Sequence, residues 1–181
     1  MESRPLRKLF SVRPAKGPNI PGQGRPGWRD GMNAAIFGCP AEWARLLPPG
    51  TRRVLRSEEL TEHIWPLLAL MPGGCRALAN RRESGGVVCR LLLAPGDLPA
   101  LPAQVRAETV VSYGLSPRDS LTLSSLAEPV LCVQRALPRP DGVVIDPQEF
   151  PLPPLPGPAE ALLPILGLRL LQMPLTEGCF P

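Results

Sequence analysis

Three arginines and an amide crowd into one short stretch. Arg76, Asn80, Arg81 and Arg82 lie within Gly73-Gly-Cys-Arg-Ala-Leu-Ala-Asn-Arg-Arg-Glu-Ser-Gly-Gly86, which has a glycine pair at each end. Arginine presents a planar fork of donors that matches a carboxylate or phosphate in bidentate fashion. Read as a glycine-flanked basic loop, the stretch is the best candidate for capturing a small anion. The competing reading is a solvated loop, partly neutralised by Glu83, with no ligand. Two acids, Asp97 and Asp119, each follow an expected strand, which is where sites of α/β proteins form. Neither has a visible partner for acid–base work.

Other chemistries lack their residues. His63 is the one histidine. It sits between Glu62 and Ile64 in an expected helix, so it has no companion ligand in sequence. The cysteines Cys39, Cys75, Cys89, Cys132 and Cys179 are widely spaced, with no CxxC pair, so no metal site is expected. Cys39 precedes an expected helix N-terminus, a place that can lower a thiol pKa, although packing explains a small apolar cysteine equally well. No GxxxxGK[ST] occurs. The lysines are Lys8 and Lys16 alone, both near the N-terminus. The first strand-turn-helix, Phe37-Gly-Cys-Pro-Ala41, has one glycine where a dinucleotide fingerprint needs three. No catalytic residue and no cofactor are expected.

Charge follows the same division. The chain of 181 residues has net charge +4, yet residues 1 to 30 contain seven Lys/Arg and two acids, which leaves the rest at −1. A basic face for nucleic acid is therefore not expected. Residues 1 to 31 are rich in glycine and proline, without apolar periodicity, and are expected to be a disordered basic segment, with an arm touching an acidic partner as the alternative. Residues 32–181 are expected to form one domain. An odd cysteine count and the lack of an apolar leader point to a reduced cytoplasmic setting, and no run is long enough for a membrane span. With 44% hydrophobic but only 4% aromatic residues, the core must be aliphatic.

The elements that must position these residues alternate. Residues 32–39 read as a strand ending at Gly38, and Pro40 starts a helix to Leu47. Residues 52–55 read as a second strand. Ser57 caps a helix whose Leu60, Ile64 and Leu68 recur at four-residue spacing, kinked at Pro66 and stopped by Pro72-Gly73-Gly74. Val87–Leu93 reads as an apolar strand covered on both faces and Glu108–Tyr113 as another apolar strand, with a short helix over 98–106 between them. Residues 121–126, 130–135 and 143–146 read as an antiparallel run with a turn at Pro138–Gly142, and 159–173 as a closing helix. The order predicts a three-layer, Rossmann-like α/β unit with a mainly parallel sheet and a small antiparallel extension.

The segment Leu91-Leu-Leu-Ala-Pro-Gly-Asp97, a helix, Val110-Val-Ser-Tyr-Gly-Leu115 and the strands that follow resemble the later part of the Mur ligase central domain, over residues 87 to 173. There an Asn-x-Asp-Asp segment precedes a helix, and a Tyr-Gly strand leads into small antiparallel strands. Leu155-Pro-Gly-Pro-Ala-Glu-Ala-Leu162 is similar to its Pro-Gly-x-His-Asn turn. The phosphate loop has no counterpart, the Asp-Asp pair is reduced to Asp97, and Pro158-Ala159 replaces His-Asn. The resemblance thus implies shared architecture without ATP-dependent ligase activity.

Three functions follow as expectations. The first is a non-catalytic binding or accessory module for a protein partner, self-association included. The second is a small-anion binder or enzyme that uses the arginine stretch 73–86. The third is a protein-interaction unit that uses the proline-rich segment 151–158.

Overall fold

The computed structural model describes residues 12–14, 34–81, 85–125, 127–174 and 180. Eleven strands and two α-helices appear in chain order: β1 (Val12–Pro14), β2 (Ala34–Phe37), β3 (Thr51–Val54), β4 (Ile64–Leu70), α1 (Pro72–Ala79), β5 (Val87–Pro95), β6 (Val105–Tyr113), β7 (Leu121–Leu123), β8 (Val130–Val133), β9 (Leu137–Pro138), β10 (Val143–Ile145), β11 (Gln148–Pro151) and α2 (Ala159–Gln172). Short 3-10 helices, Ala41–Leu46 and Ser57–Thr61, link β2 to β3 and β3 to β4.

Eight strands form one sheet in the order β11-β8-β7-β6-β5-β4-β2-β3. Pairing is parallel from β3 through β7 and antiparallel at β7–β8 and β8–β11. The expected α/β class with a mainly parallel sheet is what the chain adopts. Both faces are covered. Leu60 of the second 3-10 helix and Cys75 and Leu78 of α1 pack with Phe37, Leu68, Leu70 and Leu92 on one side. Leu46 of the first 3-10 helix and the leucines of α2 pack with Ile36, Ala69, Leu93 and Leu121 on the other. Gly167 of α2 is bare because a Cβ there would stand 2.8 Å from Leu93 and 2.9 Å from Leu121.

The helix α2 is apolar around its whole circumference, which requires burial on every side. A second sheet, β1-β10-β9, all antiparallel, meets that need: Leu137 of β9 and Ile145 of β10 belong to the same core as α2. Arg139, just past β9, donates to the carbonyls of Leu170 (3.4 Å) and Met173 (2.7 Å) and pairs with Asp141 at 2.9 Å. It thereby satisfies carbonyls that the end of α2 leaves open.

Several local expectations need correction. The helix expected over 57–71 is a 3-10 turn followed by the central strand β4, because Leu60, Ile64 and Leu68 share their spacing with a continuous apolar run that a doubly covered strand also produces. Pro72-Gly73-Gly74 starts a helix instead of stopping one: proline fits the first helical position, where an N–H would be idle. The basic loop expected over 73–86 is therefore largely α1. The helix expected over 40–47 is the 3-10 helix Ala41–Leu46. No helix forms over 98–106, where Pro99 and Pro102 remove donors and β6 already begins at Val105. The strand at 143–145 pairs with β9 and β1, not with 130–133. Of the segment 1–31, the described residues are Val12–Pro14, which form β1.

Candidate functional site

From β2 the chain crosses to β3 on one side, and from β4 it crosses to β5 on the other. The carboxyl ends of β2 and β4 are thus the switch point of the sheet, the position at which open α/β sheets form a ligand crevice. Residues 38–40 and 71–74 flank this candidate crevice. Their glycines are in backbone contact and tolerate no side chain there. A Cβ on Gly38 would lie 2.5 Å from the Gly74 nitrogen, and one on Gly74 would lie 2.5 Å from the Phe37 oxygen. Gly38 also has φ +84°, a left-handed conformation that favours glycine. The amide of Met71 donates to Phe37 O at 3.0 Å, and the Tyr113 hydroxyl donates to Leu70 O at 2.8 Å, so the second loop is pinned from two directions.

The helix α1 opens into this crevice. Met71 at the N-cap gives no side-chain hydrogen bond, and the first turn contains no acid. The amides of Gly73 and Gly74 therefore lack a side-chain cap at the positive pole of the helix. Arg76, on the same helix, turns back: its Nη2 lies 4.0 Å from the place a Gly73 Cβ would occupy. On the other wall, Arg53 at the end of β3 donates from Nε to the Cys39 carbonyl at 2.7 Å. Among the described residues neither guanidinium has a carboxylate within ion-pair distance. Gly38 covers the Gly74 amide, which leaves the exposed Gly73 amide, with Arg76 beside it, as the anion-type donors at the start of α1, while Arg53 stands beside residue 39.

The neighbouring titratable groups stay protonated at neutral pH. Burial pushes the Cys75 thiol up to about 11, with Asp97 reinforcing the shift and Arg76 opposing it. Burial also raises Tyr113, with smaller contributions from Cys75 and Asp97. Cys39 is raised by burial despite Arg53. Helix proximity therefore does not make a thiolate of Cys39.

The residues singled out by sequence separate in space. Arg76 stands at the crevice. Asn80 is the C-cap of α1, exposed, and its N–H donates to Arg76 O and Leu78 O. Arg81 lies toward the amino ends of the strands, where its carbonyl accepts from Gln104 Nε2 (3.5 Å) and its guanidinium donates to Ser57 O (3.4 Å). Arg82 lies outside the described residues. Asp97 is exposed just past β5 and close enough to act on Cys75 and Tyr113. Asp119 is 4% exposed and braces the turn after β6. Its Oδ2 accepts from Ser116 N at 3.1 Å, its own N–H donates to Ser116 O at 3.0 Å, and its carboxylate fills the space beside Gly96 and Gly114. Sequence reasoning missed Arg53 and the glycine contact. Arg53 joins Arg76 across twenty-odd residues with no fixed spacing, and its only signal was its place at the end of a strand.

Among the described residues no three metal-ligating side chains come together, and no helix is long and apolar enough to cross a membrane. No family model, no curated protein and no solved structure matches the chain.

Proposed function

We propose that the chain is a non-catalytic binding module that takes a small dianion, phosphate or a compact polycarboxylate, at the crevice between β2 and β4. The observation that carries the reading is Arg76, whose guanidinium lies beside Gly73 in the first turn of α1. A cation at the positive pole of a helix is repelled by it. An anion held between the two reverses the sign of that interaction. Arg53 supplies a second fork from the facing wall. Binding without turnover fits the neighbours: Cys75 and Tyr113 hold their protons, and among the described residues no histidine or lysine pairs with Asp97.

Thermal shift with inorganic phosphate and citrate tests this. At a hundredfold excess over Kd, one-site binding adds about 2.7 kcal/mol. That corresponds to a rise of roughly 5–10 °C in a chain of this size. Arg76→Ala should abolish the rise, Arg53→Ala should reduce it, and Arg81→Ala should leave it intact. No rise with either anion, or equal loss with Arg81→Ala, contradicts the reading. A shared architecture with the Mur ligase central domain, supported by the Tyr113-Gly114 strand end leading into β7 and β8, is part of the same proposal. It predicts that ATP with magnesium stabilises the protein no more than phosphate does.

A further inference from the structure

The segment Pro151-Leu-Pro-Pro-Leu-Pro-Gly-Pro158 takes no part in the crevice, and its chemistry is different. Proline fixes φ near −65°, and each residue before a proline is pushed toward extended backbone. Pro153, Pro154, Pro156 and Pro158 impose the first restriction; Leu152, Pro153, Leu155 and Gly157 receive the second. Covalent structure alone therefore favours a left-handed polyproline helix with three residues per turn.

Burial follows that period over 151–156, before the chain bends at 156 and 157. Leu152 and Leu155, three apart, pack against the α2-side core and are half-buried. Four of the five prolines fall on two other ridges, while Pro158 continues the leucine ridge and is exposed. Pro151 and Pro154 share one, Pro153 and Pro156 the other, and all four are exposed. The ends are anchored: Leu152 N donates to Pro129 O at 3.0 Å, and Pro158 O accepts from Ala161 N and Leu162 N at the start of α2. Among the described residues no backbone N–H donates to the carbonyls of 152–157. Glu149 and Glu160 flank the segment and are exposed.

We infer that Pro151–Pro158 is a docking ridge for a partner domain whose groove is lined by aromatic rings and rimmed by basic residues. Aromatic grooves recognise polyproline helices because the ligand is already ordered and its carbonyls are free to accept. Here the leucine ridge, held on the core, fixes the ridge in place and presents both proline ridges outward. A simple connection between β11 and α2 needs neither the two proline ridges nor the acidic flanks. The flanking carboxylates select a groove of opposite charge.

The test titrates the full chain into purified SH3 and WW domains with basic groove rims, read by calorimetry. At least one domain should bind. Pro153→Ala with Pro156→Ala, and separately Pro151→Ala with Pro154→Ala, should each weaken binding tenfold or more, while far-ultraviolet circular dichroism stays unchanged. Raising the salt should weaken binding further. Arg76→Ala should bind as the unaltered chain does, which separates this ridge from the anion crevice. Absence of binding by every domain, or binding that survives both double substitutions, would overturn the inference.

Discussion

Arg53 and Arg76 reach the crevice by different routes. One is tethered through Nε to the Cys39 carbonyl and the other folds along its own helix. Between them lies a backbone contact that only glycine allows at positions 38 and 74. Beneath it, Cys75 and Tyr113 are protonated groups in an apolar setting. Cys75 titrates at about 11 and Cys89 at about 12, both raised from 9.0 chiefly by burial. Their folded values lie above the unfolded ones, so the folded state holds these protons longer. Stability from this source is complete below pH 9 and falls as pH rises through 11 for Cys75 and 12 for Cys89. The slope is about 1.4 kcal/mol per pH unit for each group. Urea midpoints should therefore be equal at pH 7 and 8.5 and clearly lower at pH 10.5. Cys89→Ala should flatten that alkaline decline, and a midpoint that rises above pH 9 contradicts it. Of the site residues, Arg76 was legible because arginines between glycine pairs are visible in sequence. Arg53 was not, because a contact between two loops leaves no spacing to read. Asp119 was legible as the residue after a strand, but its burial between Gly96 and Gly114 belongs to three dimensions.

At the scale of elements, β5 was readable because a strand covered on both faces is a short apolar run between turn residues; β6 was readable as a second apolar run, although Arg106, Glu108 and Val110 are exposed. The same property hid β4. Ile64–Leu70 has apolar residues at every spacing, so helical and extended readings fit equally, and Pro66 argued for a kink in a helix that does not exist. The closing helix was legible from its length and apolar content, but what covers its outer face was not. The small sheet that does so draws strands from residues 12–14, 137–138 and 143–145. Its link to α2 runs through Arg139, whose side chain is only 8% exposed. Arg139→Ala leaves the carbonyls of Leu170 and Met173 and the Asp141 carboxylate without that partner. A loss of about 2–3 kcal/mol is expected from denaturant unfolding. Arg139→Lys should recover part of it, since an ammonium can bond a carbonyl but cannot also reach Asp141 as the second arm of the guanidinium fork does. A loss below about 0.5 kcal/mol would show that the cap is solvent-replaceable.

The whole molecule joins a doubly covered sheet to a helix buried between two sheets. Its two exposed features stand apart: a crevice at the strand ends, and a proline ridge between β11 and α2. They differ in chemistry, so the two proposals, a compact anion at one and an aromatic groove at the other, predict that small ligand and protein partner bind without competition. The proposed crevice lies where the strand order of the parallel sheet reverses, and among the described residues, which include no lysine, arginine and backbone amides are the donors near it. The most direct measurement is a titration of inorganic phosphate into nitrogen-15-labelled full chain, followed by amide resonances. The amides of Gly38, Gly73, Gly74 and Cys75 should shift together along one saturating curve, and Arg76→Ala should remove the response. Unmoved resonances at Gly73 and Gly74, or the largest shifts around Ser57 and Arg81, would contradict the account.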